Sequence, residues 1–407
     1  MRIVDLFSGA GGLTFGFYYR LENGQFVRTE NEFLFANEYD ENAAKAFNIN
    51  YPDINMIQGK IQDLQEDRIK ELIGEDEVDI IIGGPPCQSF STVGKRRFDD
   101  KAKLYKEYLR MLKIIKPKMF LFENVKGMLS MKEQDPVLDD DGNQVKDEKG
   151  QPIFTYGRKI MDVIQEQFSN IENIVGYTIV GKDVLNAKDF GVPQNRERVF
   201  LIGVRNDLVE HIDWHYPEET HGEGLIDYLT IKDAISDLPI INAGGRCEHY
   251  TQTPVNDYQI MMRGNNQILT QHFCGAHNEK LTLIIEAVPQ GEGRPYINRM
   301  VERGELPALC ELTSGYNNTY GRFVENQPST TITNNMCTPS ALRCIHYDQN
   351  RTITPREGAR IQSFPDWYEF VGQRGNVTKQ VGNAVPPLLA MAMARQIELA
   401  LGENNDE

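Results

Sequence analysis

Two short blocks carry side chains able to act as a nucleophile and an acid. The first, Gly83-Gly84-Pro85-Pro86-Cys87-Gln88-Ser89-Phe90-Ser91, directly follows the β-branched run Val78 to Ile82. Two prolines hold the cysteine in a rigid extended turn, and a thiolate is the nucleophilic form of that side chain. A buried structural cysteine is the plainer reading, but the end of a strand and the polar neighbours Gln88 and Ser89 favour chemistry. The second block, Phe122-Glu123-Asn124-Val125, sets a carboxylate at the end of the next strand, suited to general acid–base work or, more plainly, to capping a helix.

A third block points to a ligand. Asp5-Leu6-Phe7-Ser8-Gly9-Ala10-Gly11-Gly12-Leu13 joins a strand to a helix, and glycines there let a ligand approach the backbone. Thr14 stands where a nicotinamide fingerprint needs glycine, so the GxGxxG pattern fails and a tight turn remains an alternative. Glu38 ends the following strand and is placed to accept hydrogen bonds from ribose hydroxyls. Asp63, after Gly59-Lys60-Ile61-Gln62, is a candidate partner for an adenine amino group.

Strands are expected at Arg2 to Phe7, Phe33 to Asn37, Val78 to Ile82, Met119 to Phe122 and Val199 to Val204. Helices are expected at Leu13 to Arg20, Glu41 to Asn48 and Lys101 to Ile115. Strands separated by helices predict an α/β fold with a doubly wound, mostly parallel sheet. Ligands in such sheets bind along the carboxyl edge of the strands, where the glycine loop, Glu38, Cys87 and Glu123 all converge. Residues 131–156 break the rhythm: Val137 to Val145 reads as a polar hairpin with an Asp-Gly turn, a solvated insertion. From 210 to 345 the sequence turns rich in Gly, Asn, Thr and Pro, the texture of a smaller loop-rich domain, and a helical pattern returns over 346–407. No internal repeats are visible.

The chain has 407 residues, 40% hydrophobic and 25% charged, with a formal net charge of −16. The acidity opposes binding to phosphate, but it is uneven. Asp139-Asp140-Asp141 lies in the insertion, while Lys95-Arg96-Arg97 and Arg196-Glu197-Arg198 gather basic charge, and a cleft can be locally positive. No run is apolar enough to cross a bilayer, and Met1 to Gly9 lacks a signal-peptide layout. A cytoplasmic protein is expected, and its six cysteines, with no CxxC pair, suit a reducing compartment. Cys247, His249, His272, Cys274 and His277 match no standard zinc spacing, so no metal is expected.

Taken together, the blocks resemble the cytosine-5 DNA methyltransferases of bacteria and phages. Present in the family's order are Asp5 to Gly12, Gly84-Pro85-Pro86-Cys87-Gln88, Glu123-Asn124-Val125, Gln194-Asn195-Arg196-Glu197-Arg198, Arg356 to Pro365, and Gln380-Val381-Gly382-Asn383-Ala384-Val385-Pro386-Pro387. The resemblance implies the S-adenosylmethionine-dependent methyltransferase fold and transfer of a methyl group to carbon 5 of a flipped cytosine through a covalent bond from Cys87. It assigns catalytic roles to Cys87, Glu123, Arg196 and Arg198, the two arginines holding the flipped base and its phosphate. Phe7, Gly9, Gly11, Glu38, Asp63, Pro86, Leu104, Asn383 and Val385 would line the S-adenosylmethionine pocket. Asn383 further implies that the carboxyl-terminal segment packs back beside the first strand.

The implied partner is double-stranded DNA, bound by a monomer, with a cognate restriction endonuclease where the enzyme belongs to a restriction–modification pair. Residues 1–209 would form the catalytic domain, 210–345 the target recognition domain, and 346–407 a segment returning to the first. The loop Ser89 to Arg97 could close over the base, making Gln88, Ser91 and Arg97 DNA contacts. Thr331, in Pro328-Ser329-Thr330-Thr331-Ile332-Thr333, would touch backbone phosphate. Arg263, His272, Tyr320 and Arg322 are candidates for base reading within the loop-rich segment. Two rivals remain. An RNA cytosine-5 methyltransferase of the same family usually has Pro-Phe-Thr where this chain has Ser89-Phe90-Ser91. A catalytically silent DNA-binding protein would have no reason to keep Cys87, Glu123, Arg196 and Arg198.

Overall fold

A computed structural model of the protein describes residues 1–86, 104–139, 143–148, 150–171 and 176–402. Cys87, Gln88, Ser91 and Arg97 lie outside the described residues.

The apolar run at the amino terminus forms β1 (Arg2–Leu6), with Ile3, Val4 and Leu6 fully buried. The glycine loop leads into α1 (Gly12–Tyr18), buried along its whole length. The helix expected to reach Arg20 stops two residues earlier, because the chain enters a hairpin of β2 (Tyr19–Glu22) and β3 (Gln25–Arg28). Its turn is Asn23-Gly24, both residues at positive φ (51° and 76°), the pairing that suits a two-residue hairpin. The chain continues through β4 (Glu32–Glu38), α2 (Glu41–Asn50), β5 (Met56–Gln58), α3 (Glu66–Ile73), β6 (Ile80–Gly83), α4 (Tyr105–Ile115) and β7 (Met119–Val125). Asp40 caps α2 by accepting from the backbone N–H groups of Asn42 and Ala43.

Residues 131–156 grow from the end of this unit as a ribbon, β8 (Lys132–Pro136) against β9 (Phe154–Lys159). Beyond it, Val137, Val145 and Ile153 hydrogen-bond in a ring: Val137 N to Ile153 O, Ile153 N to Val145 O, and Val145 N to Val137 O. The eight-residue spacing is a short repeat that composition hides. The Asp-Gly turn itself lies outside the described residues. Then come α5 (Ile160–Ser169), β10 (Tyr177–Asn186) and β11 (Glu197–Arg205).

Among the described residues, seven strands form one sheet in the order β10-β11-β7-β6-β1-β4-β5. From β7 to β5 neighbours are parallel; β11 is antiparallel to both β7 and β10. The two antiparallel pairings follow from the short link between β10 and β11, which holds no helix long enough for a crossover. The chain leaves β1 toward β4 and β5, then crosses to β6 on the other side, so the switch point lies between β1 and β6.

The remaining elements are α6 (Ile231–Ile235), α7 (Asp257–Arg263), α8 (Glu279–Ala287), α9 (Arg294–Glu302), α10 (Pro355–Ile361), α11 (Arg374–Asn383) and α12 (Pro387–Gly402). Ile231, Ile235, Tyr258, Met262 and Leu269 join the same core as Phe15, Phe17 and Met393. A separate small core holds Ile284, Ile285, Ile297, Leu312 and Ile345. Residues 374–402 meet the length and composition of a membrane-crossing helix. They divide into α11 and α12, however, and the apolar side of α12, including Leu389, Met393 and Ile397, is buried in the protein core. Here α1 meets α12 at backbone distance: a Cβ on Gly16 would lie 2.4 Å from Ala390 O, and one on Gly12 would lie 2.5 Å from Val385 O.

Candidate active site

The switch point opens into a crevice of about 1550 Å³. One wall is the glycine loop. Phe7, with φ of 58°, and Gly9, with φ of 57°, turn the chain sharply after β1, a conformation costly for phenylalanine. Two tyrosines support the loop from behind. Tyr51 Oη donates to Gly11 O at 2.7 Å, and Tyr368 Oη donates to Ala10 O. Gly11 (φ 94°) has no room for a side chain, since a Cβ would sit 2.3 Å from the Tyr51 ring.

Two acids face this wall. Glu38 is held by the loop it supports: Oε2 accepts from Gly9 N at 2.9 Å and Oε1 from Asp40 N at 2.7 Å. Burial pushes its carboxyl up from the ordinary range, against those two backbone donors. Asp5 is fully buried at the end of β1. Its Oδ2 accepts from Thr14 Oγ1, and its Oδ1 has no partner among the described residues. Burial raises its carboxyl to about 8, opposed by the Thr14 hydrogen bond. A buried polar atom without a partner is costly, and here its residue sits just behind the wall of the crevice.

The opposite wall comes from the ends of β6 and β7. Asn124 Nδ2 donates to Pro85 O at 3.2 Å, fixing the Pro85-Pro86 turn to the neighbouring strand. Gly84 leaves room for Glu123, because a Cβ there would lie 2.5 Å from Glu123 Oε2. Arg198, on β11, places its Nε 3.0 Å from Glu123 Oε1, both side chains being about seven-eighths covered. Burial raises the Glu123 carboxyl, while Arg198 and Arg196 pull it down. The result is a buried acid that can hold a proton beside a fixed cation.

Phe7, Gly9, Glu38, Pro86, Leu104, Glu123, Arg196, Arg198, Thr331, Asn383 and Val385 all line this single crevice. Gly11 stands behind the loop. Asp63 is exposed, and its neighbours Ile61 and Gln62 line the crevice instead. Thr331 donates its hydroxyl to Asn195 O at 2.9 Å.

Five of the expected residues have other surroundings than expected. Arg196 is wholly buried and donates to Ile332 O (2.7 Å), Gly382 O (2.9 Å) and Ala384 O (2.8 Å). It clamps distant segments together at the crevice wall, and its charge acts on Glu123 from there. Arg322 is likewise buried, donating to Val288 O, His346 O, Gln349 O and Ile285 O. His272 uses both ring nitrogens internally, against Thr354 Oγ1 and Pro239 O. Arg263 stacks on the Tyr250 ring at 3.7 Å and Tyr320 packs on the small core; neither borders the crevice. In their place the loop-rich segment contributes Tyr316, Asn318, Thr330, Thr333, Asn334 and Asn335. Only its Gly- and Asn-rich composition could have signalled these residues.

Comparison with known proteins follows the same lines. Residues 1–399 match the family described as C-5 cytosine-specific DNA methylase. The chain is 34% identical to Type II methyltransferase M.DdeI of Desulfomicrobium norvegicum, over 98% of this chain and 88% of that protein. It is 33% identical to Type II methyltransferase M1.HphI of Haemophilus parahaemolyticus, over 98% and 86%. Among solved structures, a prophage-encoded DNA modification methyltransferase from E. coli shares the fold with a TM-score of 0.67 at 24% identity, covering 99% of each chain. The Entamoeba histolytica methyltransferase EhMeth shares it with a TM-score of 0.57 at 13% identity, covering 98% of each.

Proposed function

The chain belongs to the C-5 cytosine-specific DNA methylase family and is a DNA cytosine-5 methyltransferase; from that premise we propose that it flips a cytosine out of a specific duplex site and methylates it through a covalent bond from Cys87. The observation that carries the reading is the Glu123–Arg198 pair, which shares one crevice with the glycine loop and with Pro86, the residue before Cys87.

S-adenosylmethionine supplies an electrophilic methyl group on a sulfonium. The residues present fit it. The buried Asp5 carboxyl, with one oxygen unpartnered among the described residues, would favour the cationic methionyl end from behind the loop, Glu38 suits ribose hydroxyls, and Phe7, Leu104 and Val385 offer apolar contact for the adenine. Carbon 6 of cytosine is inaccessible inside a stacked duplex, so the base must leave the helix. The Cys87 thiolate adds to carbon 6, and the electron pair displaced from the ring makes carbon 5 nucleophilic. Glu123 gives its proton to ring nitrogen 3 as negative charge builds there, and Arg198 holds the carboxyl in place. Once the methyl group has passed to carbon 5, leaving S-adenosylhomocysteine, that carbon loses its proton to solvent, the Cys87–C6 bond breaks with its electron pair returning to sulfur, and Glu123 recovers its proton from nitrogen 3. Site choice would reside within 210–345, and the names of the curated relatives support a type II modification role.

Duplex DNA carrying 5-fluorocytosine tests the reading, because fluorine cannot leave carbon 5 as a proton does. The wild type should become covalently trapped on its site, resistant to denaturing gel electrophoresis, and Cys87→Ala should bind the same DNA without trapping or methylation. A Cys87→Ala variant that methylates at the wild-type rate would overturn the mechanism.

A further inference from the structure

Among the residues expected to read bases, His272 and Arg322 are consumed inside the fold and Arg263 and Tyr320 do not line the crevice, which leaves room for other groups to meet the bases. The crevice offers a compact set from the loop after Ser314. Tyr316 borders it, and the residue is 55% exposed. Among the described residues its ring has no aromatic partner and its hydroxyl makes no hydrogen bond. Exposed Asn318 borders the same crevice with its side chain equally unengaged among the described residues.

Their backbone, by contrast, is fixed. Thr319 is fully buried and donates twice to Tyr316 O, from Oγ1 at 2.8 Å and from N at 3.1 Å. Arg294 N donates to Thr319 O at 2.9 Å. Gly293 lets the two segments touch, since a Cβ there would lie 2.8 Å from Asn317 O. A large aromatic ring left in water on a rigid turn forgoes burial and retains little backbone freedom to lose on binding. That combination suits a preorganised contact.

We propose that Tyr316 and Asn318 form the DNA-reading lip of the crevice, the Tyr316 ring stacking on bases that border the target cytosine and the Asn318 amide hydrogen-bonding a base edge. Every base offers a π-face to an aromatic ring, and an amide can pair in two directions with adenine in the major groove. Tyr316 therefore supplies affinity largely independent of sequence, while Asn318 supplies discrimination at one position. This inference rests on the methyltransferase reading above.

The test begins with the wild type. Bisulfite sequencing of plasmid DNA treated with the enzyme identifies the methylated site, and a duplex oligonucleotide carrying that site serves as substrate. Tyr316→Ala should raise the KM for this duplex roughly 5- to 150-fold, with S-adenosylmethionine affinity and thermal midpoint unchanged. Tyr316→Phe, which keeps the ring, should recover most of that loss. Asn318→Ala should lose discrimination at one base pair by about the same factor, seen as new methylated sequences differing from the original at a single position. A wild type that methylates no cytosine defeats the underlying reading and this inference with it. A methylating wild type beside a Tyr316→Ala variant with unaltered KM, or an Asn318→Ala variant with an unaltered site spectrum, defeats this inference alone.

Discussion

Charge is buried in two parts of this molecule, and it is treated differently in each. Around α10 two buried arginines are matched to carboxylates, and a third, Arg356, is spent on the oxygens of Thr270, Pro365 and Tyr368. Arg360 donates to Asp237 at 2.9 Å and to Asp366 at 2.6 Å, and Arg351 grips Glu357 with two bonds of 2.6 and 2.8 Å. Glu357 also closes the capping box of α10 by accepting from Thr354 N. Paired with Arg351, its carboxyl lies far below the usual range despite complete burial. In the crevice the balance is left open. Asp5 has one oxygen unengaged among the described residues, and burial raises the carboxyls of both Asp5 and Glu123, the latter even with Arg198 beside it. Matched burial holds segments together, whereas unmatched burial beside an opening reserves binding energy for something that enters.

The sharpest way to break this contrast is at Glu123. Glu123→Gln keeps the shape and removes the proton donor, so the methyl-transfer rate should fall about 10²- to 10⁴-fold with little change in thermal midpoint. A folded variant of near-normal rate would place Glu123 in the matched class. Next in size is Arg360→Ala, which strands Asp237 and Asp366 in the core. Urea titration should show a loss of about 3–5 kcal/mol, while S-adenosylmethionine affinity of the folded fraction persists. If stability held and affinity collapsed, the cluster would belong to the site after all.

The smallest effect is a pH dependence at Asp5. Folding raises this carboxyl from 3.8 to about 8, so its contribution to stability is complete below the ordinary aspartate range and is lost as pH climbs through about 8. A bound cation favours the ionised form. Between about pH 6 and about pH 9 the thermal midpoint of the free protein should decline and S-adenosylmethionine affinity should rise, by at most about tenfold per pH unit. Asp5→Asn should flatten both trends. Equal pH profiles in Asp5→Asn and wild type, measured by calorimetry, would remove Asp5 from the reserved class.

Much of this site was legible because its parts are local. A strand, a sharp loop and a side chain at the loop's start place Phe7, Gly9, Glu38 and Glu123 with few alternatives. Arginines were the weak point. Arg196 and Arg198 are the same residue type two positions apart, yet one is spent on three carbonyls and the other faces Glu123. Those carbonyls belong to Ile332, Gly382 and Ala384, and no local pattern announces such distant partners. Arg322 misled for the same reason. Asp63 failed by a smaller margin, because which residue of a short turn faces a crevice depends on turn geometry that spacing does not encode.

The seam between α1 and α12 has a temporal consequence. The glycine loop near residue 10 and Val385 form one crevice, and Gly12 fits only against the backbone of Val385. Protein is made from the amino terminus, so β1 and the loop emerge from the ribosome long before their partner exists. The sheet can begin to assemble during synthesis, but the pocket cannot close until residues beyond 385 have emerged and returned across almost the whole chain. Contacts of such long sequence separation form late and slowly. A nascent chain stalled short of that point would own a glycine loop and an acid pair, but no completed place for the methyl donor, and so could not mark DNA.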